Sequence, residues 1–295
     1  MTTECRDEPL SRHTTIKIGG PADRMLVPTE RRDLLDIIAT CARTRTPFFV
    51  LGRGSNTLVR DEGIRGIVVK NTMACSELEI DGTDVRVGSS VPLQRMISAC
   101  VESGLYGMEY LSWVPGNVGG AVYMNAGLGI DEKKCISDHL VSVEVWDGGA
   151  IRTVKNEDCE FGFRTSLFHR MKRWAILSAR FALPRQETEV GRESVKKWMR
   201  MFKEKLHVGY PNAGSVFRQY YRPLPEIVGH RIGGAQFSPK TPEWIVNLGG
   251  ATFEDAWSLI KHAQECHKRR RIRIPELEWV ISPGSWWSQV RRKFA

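Results

Sequence analysis

The 295 residues are 41% hydrophobic and 26% charged, ordinary globular usage that excludes wholesale disorder and a collagen-like chain. Forty-three basic residues against 34 acidic ones leave a net charge of +9, a surplus that favours anionic ligands without choosing among them. No run approaches the ~18 apolar residues of a membrane-spanning helix, and the charged stretch 1–13 offers no apolar signal segment.

In chain order, residues 31–44 place Leu34, Leu35, Ile37, Ile38 and Cys41 at helical spacing. The apolar run 47–51 reads as a buried strand ending in the glycine loop Gly52-Arg-Gly-Ser-Asn56. Residues 66–70 predict another strand, and 78–87 alternate around Asp81-Gly82, a hairpin signal. Helical spacing returns over 93–103. A second hairpin is predicted from 141–146 and 151–154, with a closing strand over 174–183. Residues 184–193 are polar and mostly charged, and read as a linker. Beyond it come a helix over 194–205, a glycine-punctuated region to Gly250, and an amphipathic helix over 252–267 with Thr252 as N-cap. A last strand is expected over 277–281. Helices alternating with hairpins, rather than with single parallel strands, give an α+β fold class.

Cys5, Cys41, Cys75, Cys100, Cys135, Cys159 and Cys266 are odd in number and never spaced as C-x-x-C. That usage suits reduced thiols in a cytoplasmic protein. His262 and Cys266 stand at i, i+4, a spacing that can bind a metal, but no further ligand clusters there and no metal is expected. The basic run 267–273 and the tail 290–295 could contact nucleic acid. They lack interleaved aromatics, and cations are favoured at a helix C-terminus in any case. A phosphate-bearing small molecule is the preferred partner, with no nucleic acid and no membrane insertion.

Two glycine-rich segments could cradle a phosphate. In the first, Gly52, Arg53, Gly54, Ser55, Asn56 and Thr57 combine permissive backbone with side-chain donors. Thr57 stands where a dinucleotide fingerprint has its third glycine, and a tight turn between strands explains the loop as well. The second runs Val114-Pro-Gly-Asn-Val-Gly-Gly-Ala-Val-Tyr-Met-Asn-Ala-Gly127. So many small residues suit backbone packed on a flat ligand, although a buried glycine-rich turn between helices accounts for them too.

With Thr14-Thr-Ile-Lys-Ile-Gly-Gly-Pro-Ala-Asp23, these loops resemble the FAD-binding signatures of the UDP-N-acetylenolpyruvoylglucosamine reductase (MurB) family. Further matches occur in order: Phe161-Gly-Phe-Arg-Thr-Ser166, Pro211-Asn-Ala-Gly-Ser-Val-Phe217, Arg231-Ile-Gly-Gly-Ala-Gln236 leading to Ile245-Val-Asn247, and Glu278-Trp-Val-Ile281. The resemblance spans residues 12–281. It implies a vanillyl-alcohol-oxidase/PCMH-like FAD-binding domain plus a C-terminal α+β substrate domain. The expected division is a FAD-binding region over 1–185 (subdomains 1–70 and 71–185), a substrate-binding domain over 190–274, and a closing strand and basic tail over 275–295.

The family reduces UDP-N-acetylglucosamine enolpyruvate to UDP-N-acetylmuramate, using NADPH as co-substrate and bound FAD. The resemblance therefore implies flavin contacts at Gly52, Arg53, Gly54, Ser55, Asn56, Thr57, Pro115, Gly116, Asn117, Gly119, Gly120, Asn125 and Ala126. With no His or Cys in either loop, the FAD is expected to be noncovalent. Arg164 matches the catalytic arginine, Ser215 the serine that protonates the enolate carbon, and Glu278 the acid that assists at the carboxylate. Each has a plainer alternative: a surface arginine, a turn-capping serine, and Glu276 as the acid in place of Glu278. Beyond the serine the chain departs from the family's pattern. Arg218-Gln219-Tyr220 replaces K-N-P, a proline-broken segment fills 221–229, and Thr241 and Glu243 replace a polar pair. These changes leave room for a MurB-like FAD oxidoreductase on another substrate, or a flavin-binding protein with a decayed site. No long insertion lies between Leu183 and Ser215, which suggests the shorter family type.

Overall fold

Alternation decides the largest sheet. Every second residue of Ala175–Ala182 is buried, and Val85 and Val87 of the neighbouring strand are wholly so, the pattern of strands with one face on a core. The computed structural model describes residues 1–128, 134–171, 173–207 and 209–282. Its first ten strands are β1 (Thr3–Pro9), β2 (Pro21–Val27), β3 (Phe48–Leu51), β4 (Thr57–Leu58), β5 (Ile64–Lys70), β6 (Leu78–Asp81), β7 (Asp84–Gly88), β8 (Leu140–Trp146), β9 (Ile151–Lys155) and β10 (Ala175–Ala182). Helices α1 (Arg31–Arg43), α2 (Leu93–Glu102) and α3 (Val118–Tyr123) lie among them, and α4 (Thr188–Lys205) comes after. Then come β11 (Asn212–Ser215), β12 (Phe217–Gln219), β13 (Arg231–Ile232), β14 (Ala235–Phe237) and β15 (Trp244–Asn247). The last elements are α5 (Phe253–Arg269), β16 (Glu276–Leu277) and β17 (Val280–Ile281).

The chain divides into two compact units. Residues 1–3, 26–52 and 69–204 form the first; 4–25, 53–68 and the described residues from 205 onward form the second. The first unit holds the five-stranded sheet, in the order β6-β7-β10-β8-β9. Both expected hairpins are present, and the closing strand is the central one, antiparallel to β7 on one side and β8 on the other. Its core gathers Phe181, Val143 and Val145 with Leu93, Met96 and Ile97 of α2. The second unit carries an antiparallel sheet ordered β11-β15-β14-β13, and α5 packs against its β14 and β13 strands, burying Phe253, Ala256, Leu259, Ile260 and Ala263. Thr252 caps α5 as expected. Its hydroxyl accepts from Asp255 N–H, and the Asp255 carboxylate accepts from Thr252 N–H, both at 3.1 Å.

Two expectations need correction. The polar stretch 184–193 is not a linker throughout, because α4 already begins at Thr188. Ion pairs three residues apart, Glu189 with Arg192 and Glu193 with Lys196, stabilise that turn, and Arg192 also reaches Glu102 on α2. The last strand is two. It breaks at Glu278–Trp279, and only β17 joins β4, in parallel, with Val280 opposite Thr57. The tail 290–295 lies outside the described residues.

Candidate active site

In the first unit the second glycine loop is tied to the turn before α2. Val118 N–H donates to Val91 O at 2.9 Å, Gly119 N–H to Ser89 O at 3.0 Å, and Leu93 N–H to Gly116 O at 3.0 Å. Gly119 is a glycine for packing, since a methyl group there would lie 2.8 Å from Ser89 Cβ. At Gly120 a methyl group would meet nothing within 4 Å, and at Gly52 nothing nearer than Asn117 Nδ2 at 3.9 Å. Pro115 is exposed and Ala126 buried. Asn117 is buried; its Nδ2 donates to Asn71 O at 3.4 Å, while its Oδ1 has no hydrogen-bond partner among the described residues. A buried acceptor left unmade costs about 1–3 kcal/mol.

Arg164 belongs to this unit and sits in the left-handed region at φ 55°, a conformation that is rare outside glycine. Its guanidinium donates to the carbonyls of Asn125 (3.3 Å), Gly127 (2.6 Å) and Leu128 (3.5 Å), and lies 4.9 Å from the centre of the Phe163 ring. The loop end is fixed in turn. Asn125, itself at φ 46°, donates through Nδ2 to Gly162 O at 3.0 Å and accepts at Oδ1 from Ser137 N–H at 3.3 Å. Burial pushes the Cys135 thiol up against the opposing pull of the Arg164 charge. Burial likewise pushes the Tyr110 hydroxyl well above the usual phenol range, with Asp138 adding to the effect. That hydroxyl is buried and has no hydrogen-bond partner among the described residues. Spacing and motif leave Tyr110 unmarked, because an aromatic in an apolar run carries no signal of an unpaired hydroxyl.

The second unit brings together the rest of the first loop, Ser215 and Glu278. Ser215 ends β11, opposite Trp244, directly after Gly214 at φ 71°. Glu278 N–H donates to Val216 O at 2.8 Å, so the acid is tied one residue from the serine. The Glu278 carbonyl accepts from Asn56 Nδ2 at 3.2 Å, and Val280 N–H donates to Asn56 O at 2.9 Å. Asn56 therefore braces the closing segment, and Thr57 is buried in the β4–β17 pair. Gly54, at φ 66°, allows close approach, since a methyl group would lie 2.3 Å from His13 O. Arg53 is exposed and Ser55 half-buried. Glu276, the alternative acid, is occupied: Arg218 donates to its Oε2 from Nε (3.2 Å) and Nη2 (3.0 Å).

The motif 14–23 also serves β11. Thr15 Oγ1 donates to Asn212 O at 2.6 Å, and Asn247 Nδ2 donates to Ile16 O at 3.0 Å. Its likeness to a flavin signature hid this supporting part, because a motif gives order along the chain and not partners across it.

His262 stacks on His230 with centroids 4.1 Å apart, and its Nε2 lies 3.5 Å from Cys266 Sγ. Burial, helped by His262, pushes the His230 imidazole down. His267 is buried, accepting from Arg222 N–H at Nε2 and donating from Nδ1 to Ala263 O. No group of three or more metal-ligating side chains occurs among the described residues.

The flavin fit rests on the second loop. An unpaired buried acceptor at Asn117 beside the open backbone of Gly120 suits a ligand that presents N–H or O–H donors against a flat face, as FAD does. Residues 22–154 match the family described as FAD binding domain, and 206–273 match UDP-N-acetylenolpyruvoylglucosamine reductase, C-terminal domain. The fold is α+β, a PCMH-type FAD-binding domain plus a C-terminal α+β domain, and it defines an FAD-dependent oxidoreductase.

The chain is 38% identical over 275 residues to UDP-N-acetylenolpyruvoylglucosamine reductase of Bacillus licheniformis, covering 90% of this chain and 89% of the relative. It is 36% identical over 271 residues to the Bacillus subtilis enzyme of that name, covering 88% and 87%. The crystal structure of UDP-N-acetylenolpyruvylglucosamine reductase (MurB) from Thermus caldophilus superposes with a TM-score of 0.79 at 30% identity, covering 96% of this chain and 99% of that one. The chain belongs to the UDP-N-acetylenolpyruvoylglucosamine reductase family.

Proposed function

We propose that this chain reduces UDP-N-acetylglucosamine enolpyruvate to UDP-N-acetylmuramate, with NADPH as hydride donor, in cytoplasmic peptidoglycan precursor synthesis. The observation that carries this reading is the 2.8 Å hydrogen bond from Glu278 N–H to Val216 O, which ties the matching acid beside the matching serine. The assigned regions are flavin binding over 1–185, substrate binding over 190–274 and a closing segment from 275. The assigned noncovalent flavin contacts are Gly52, Arg53, Gly54, Ser55, Asn56 and Thr57 of the first loop and Pro115, Gly116, Asn117, Gly119, Gly120, Asn125 and Ala126 of the second, with Asn117 Oδ1 as acceptor.

FAD held by these loops would supply two-electron chemistry, linking oxidation of NADPH to reduction of the enolpyruvyl alkene. Arg164 answers the negative charge that builds on the substrate carboxylate as the alkene is reduced. Its guanidinium is held by the loop carbonyls, and its permanent positive charge suits a carboxylate that gains negative charge. Ser215 gives its hydroxyl proton to the carbon beside the carboxylate and regains one from solvent, so hydride and proton together saturate the double bond. Glu278 stands at the carboxylate end. The partner class is a small UDP-sugar. Nucleic acid is not assigned a role, as Arg270 and Lys268 of the basic run are engaged by Glu226 and Glu265. Among the described residues no helix is long and apolar enough to cross a membrane.

Stopped-flow absorbance tests the reading. Purified holoenzyme should bleach with NADPH and regain its colour on addition of UDP-N-acetylglucosamine enolpyruvate without oxygen. Bleaching that this compound fails to reverse would refute the substrate.

A further inference from the structure

The two-stranded ladder that leads into Glu278 is very short. Phe217 of β12 pairs with Leu277 of β16 and Gln219 pairs with Glu276, leaving Arg218 as an extra residue in a bulge. So few pairings hold a register weakly, and a slip of one residue would carry Glu278 about 3.3 Å along the strand. Such a slip would break the hydrogen bond from Glu278 N–H to Val216 O.

Side chains reinforce the far end of this ladder. Arg218 Nε and Nη2 both reach Glu276 Oε2, at 3.2 and 3.0 Å. Arg273 approaches Glu276 Oε1 to 3.9 Å, and its guanidinium carbon lies 3.5 Å above the ring centre of Tyr220. Tyr220 leaves β12 with φ 63°, turning the chain where the ring meets Arg273, just before β16. One end of the ladder is thus held by Arg218, Glu276, Arg273 and Tyr220, and the other by the Glu278–Val216 bond. Arg218 and Tyr220 are two of the residues by which this chain departs from K-N-P.

We propose that Glu276 and Arg218 are a positioning pair, locking the register of the β12–β16 ladder so that Glu278 is held beside Ser215. The inference rests on the proposed roles of Ser215 and Glu278, and it gives Glu276 a part other than the acid's. The pair is partly solvated, and such pairs add little to overall stability. Its effect falls on placement, where an error near 1 Å at a reacting group costs rate steeply.

The experiment compares wild-type holoenzyme with Glu276→Gln, Glu278→Gln and the charge-swapped double variant Arg218→Glu/Glu276→Arg. Each half-reaction is followed by stopped flow across pH, and amide exchange is followed in a peptide containing Glu278. Glu276→Gln is expected to slow flavin reoxidation by the enolpyruvyl substrate about tenfold, with flavin reduction by NADPH within about twofold of wild type. The pH profile of reoxidation should keep its shape, substrate affinity should hold, and the Glu278 amide should exchange faster. The double variant should recover part of the rate and of the protection, since Arg273 still faces position 276. An unchanged reoxidation rate in Glu276→Gln would overturn the proposal. So would a defect as deep as that of Glu278→Gln with loss of the same pH limb, because Glu276 would then be the acid. Equal slowing of both half-reactions would also overturn it, showing a general loss of structure. Wild-type enzyme that bleaches but is not reoxidised would refute the assigned reaction, and the pair's part in it, before any variant is made.

Discussion

Arg164 and the Ser215–Glu278 pair are held in place by opposite means. Arg164 takes its orientation from carbonyls of one continuous loop, Asn125 to Leu128. Ser215 and Glu278 depend on residues far apart in sequence: Thr15 on Asn212, Asn56 on Glu278, Val216 on Glu278. Three carbonyls of one short loop grip the guanidinium, so its orientation follows that loop and the turn that carries Arg164. A serine and an acid gathered from distant strands are placed as well as the weakest ladder between them. The first arrangement resists change at a distance; the second is open to adjustment by side chains outside the chemistry.

The sharpest way to separate the two is Ser215→Ala. Loss of the proton donor should slow flavin reoxidation by about 10²- to 10⁴-fold while leaving reduction by NADPH nearly intact, read by stopped flow. Equal slowing of both steps would make Ser215 structural. The supporting cores come next. Phe181 in the first unit and Phe237 in the second are fully buried, and truncation of either to Ala should cost about 3–5 kcal/mol in urea unfolding. If the units depend on their cores as described, Phe237→Ala should loosen Glu278 amide protection and Phe181→Ala should not.

Arg164→Lys keeps the charge but loses the planar fork that the loop carbonyls orient. Reoxidation should fall by about 10²-fold, of the order seen when one preorganised donor is removed. A rate within a factor of two of wild type would show that charge alone suffices. Thr252→Ala removes the capping box of α5 and should cost about 1 kcal/mol, with no change in either half-reaction.

The smallest effect concerns the thiols. Burial pushes Cys75 up to about 11, and Cys100 and Cys159 up to about 12. The thiolate is the nucleophile, so at pH 8 iodoacetamide should label the partly exposed Cys5 well before these three, by peptide mass spectrometry. These thiols hold their protons longer when folded, so their contribution to stability is intact below about pH 9 and fades as the pH climbs towards 12.

Much of the architecture is written in the chain. Helices α1, α2 and α5 and both hairpins arise from spacing alone, because a face buried at every third or fourth residue, or at every second, leaves its period in the sequence. The capping box at Thr252 and Asp255 is equally local. The ordered motifs carry the family, the cofactor class and the candidate side chains.

Other features required the folded molecule. The start of α4 at Thr188 has local support in the Glu189–Arg192 pair, but the reach of Arg192 to Glu102 on another element is a contact that no window on 184–193 contains. The break in the last strand at Glu278 reflects two different partners, β12 for Glu276–Leu277 and β4 for Val280–Ile281. The unpaired Asn117 Oδ1, the brace of Asn56 on Glu278 and the engagement of Glu276 by Arg218 are likewise tertiary. Periodicity and capping act between neighbours in sequence and can be read there. A hydrogen bond between residues 222 positions apart, like that from Asn56 to Glu278, exists only once the chain has closed that loop.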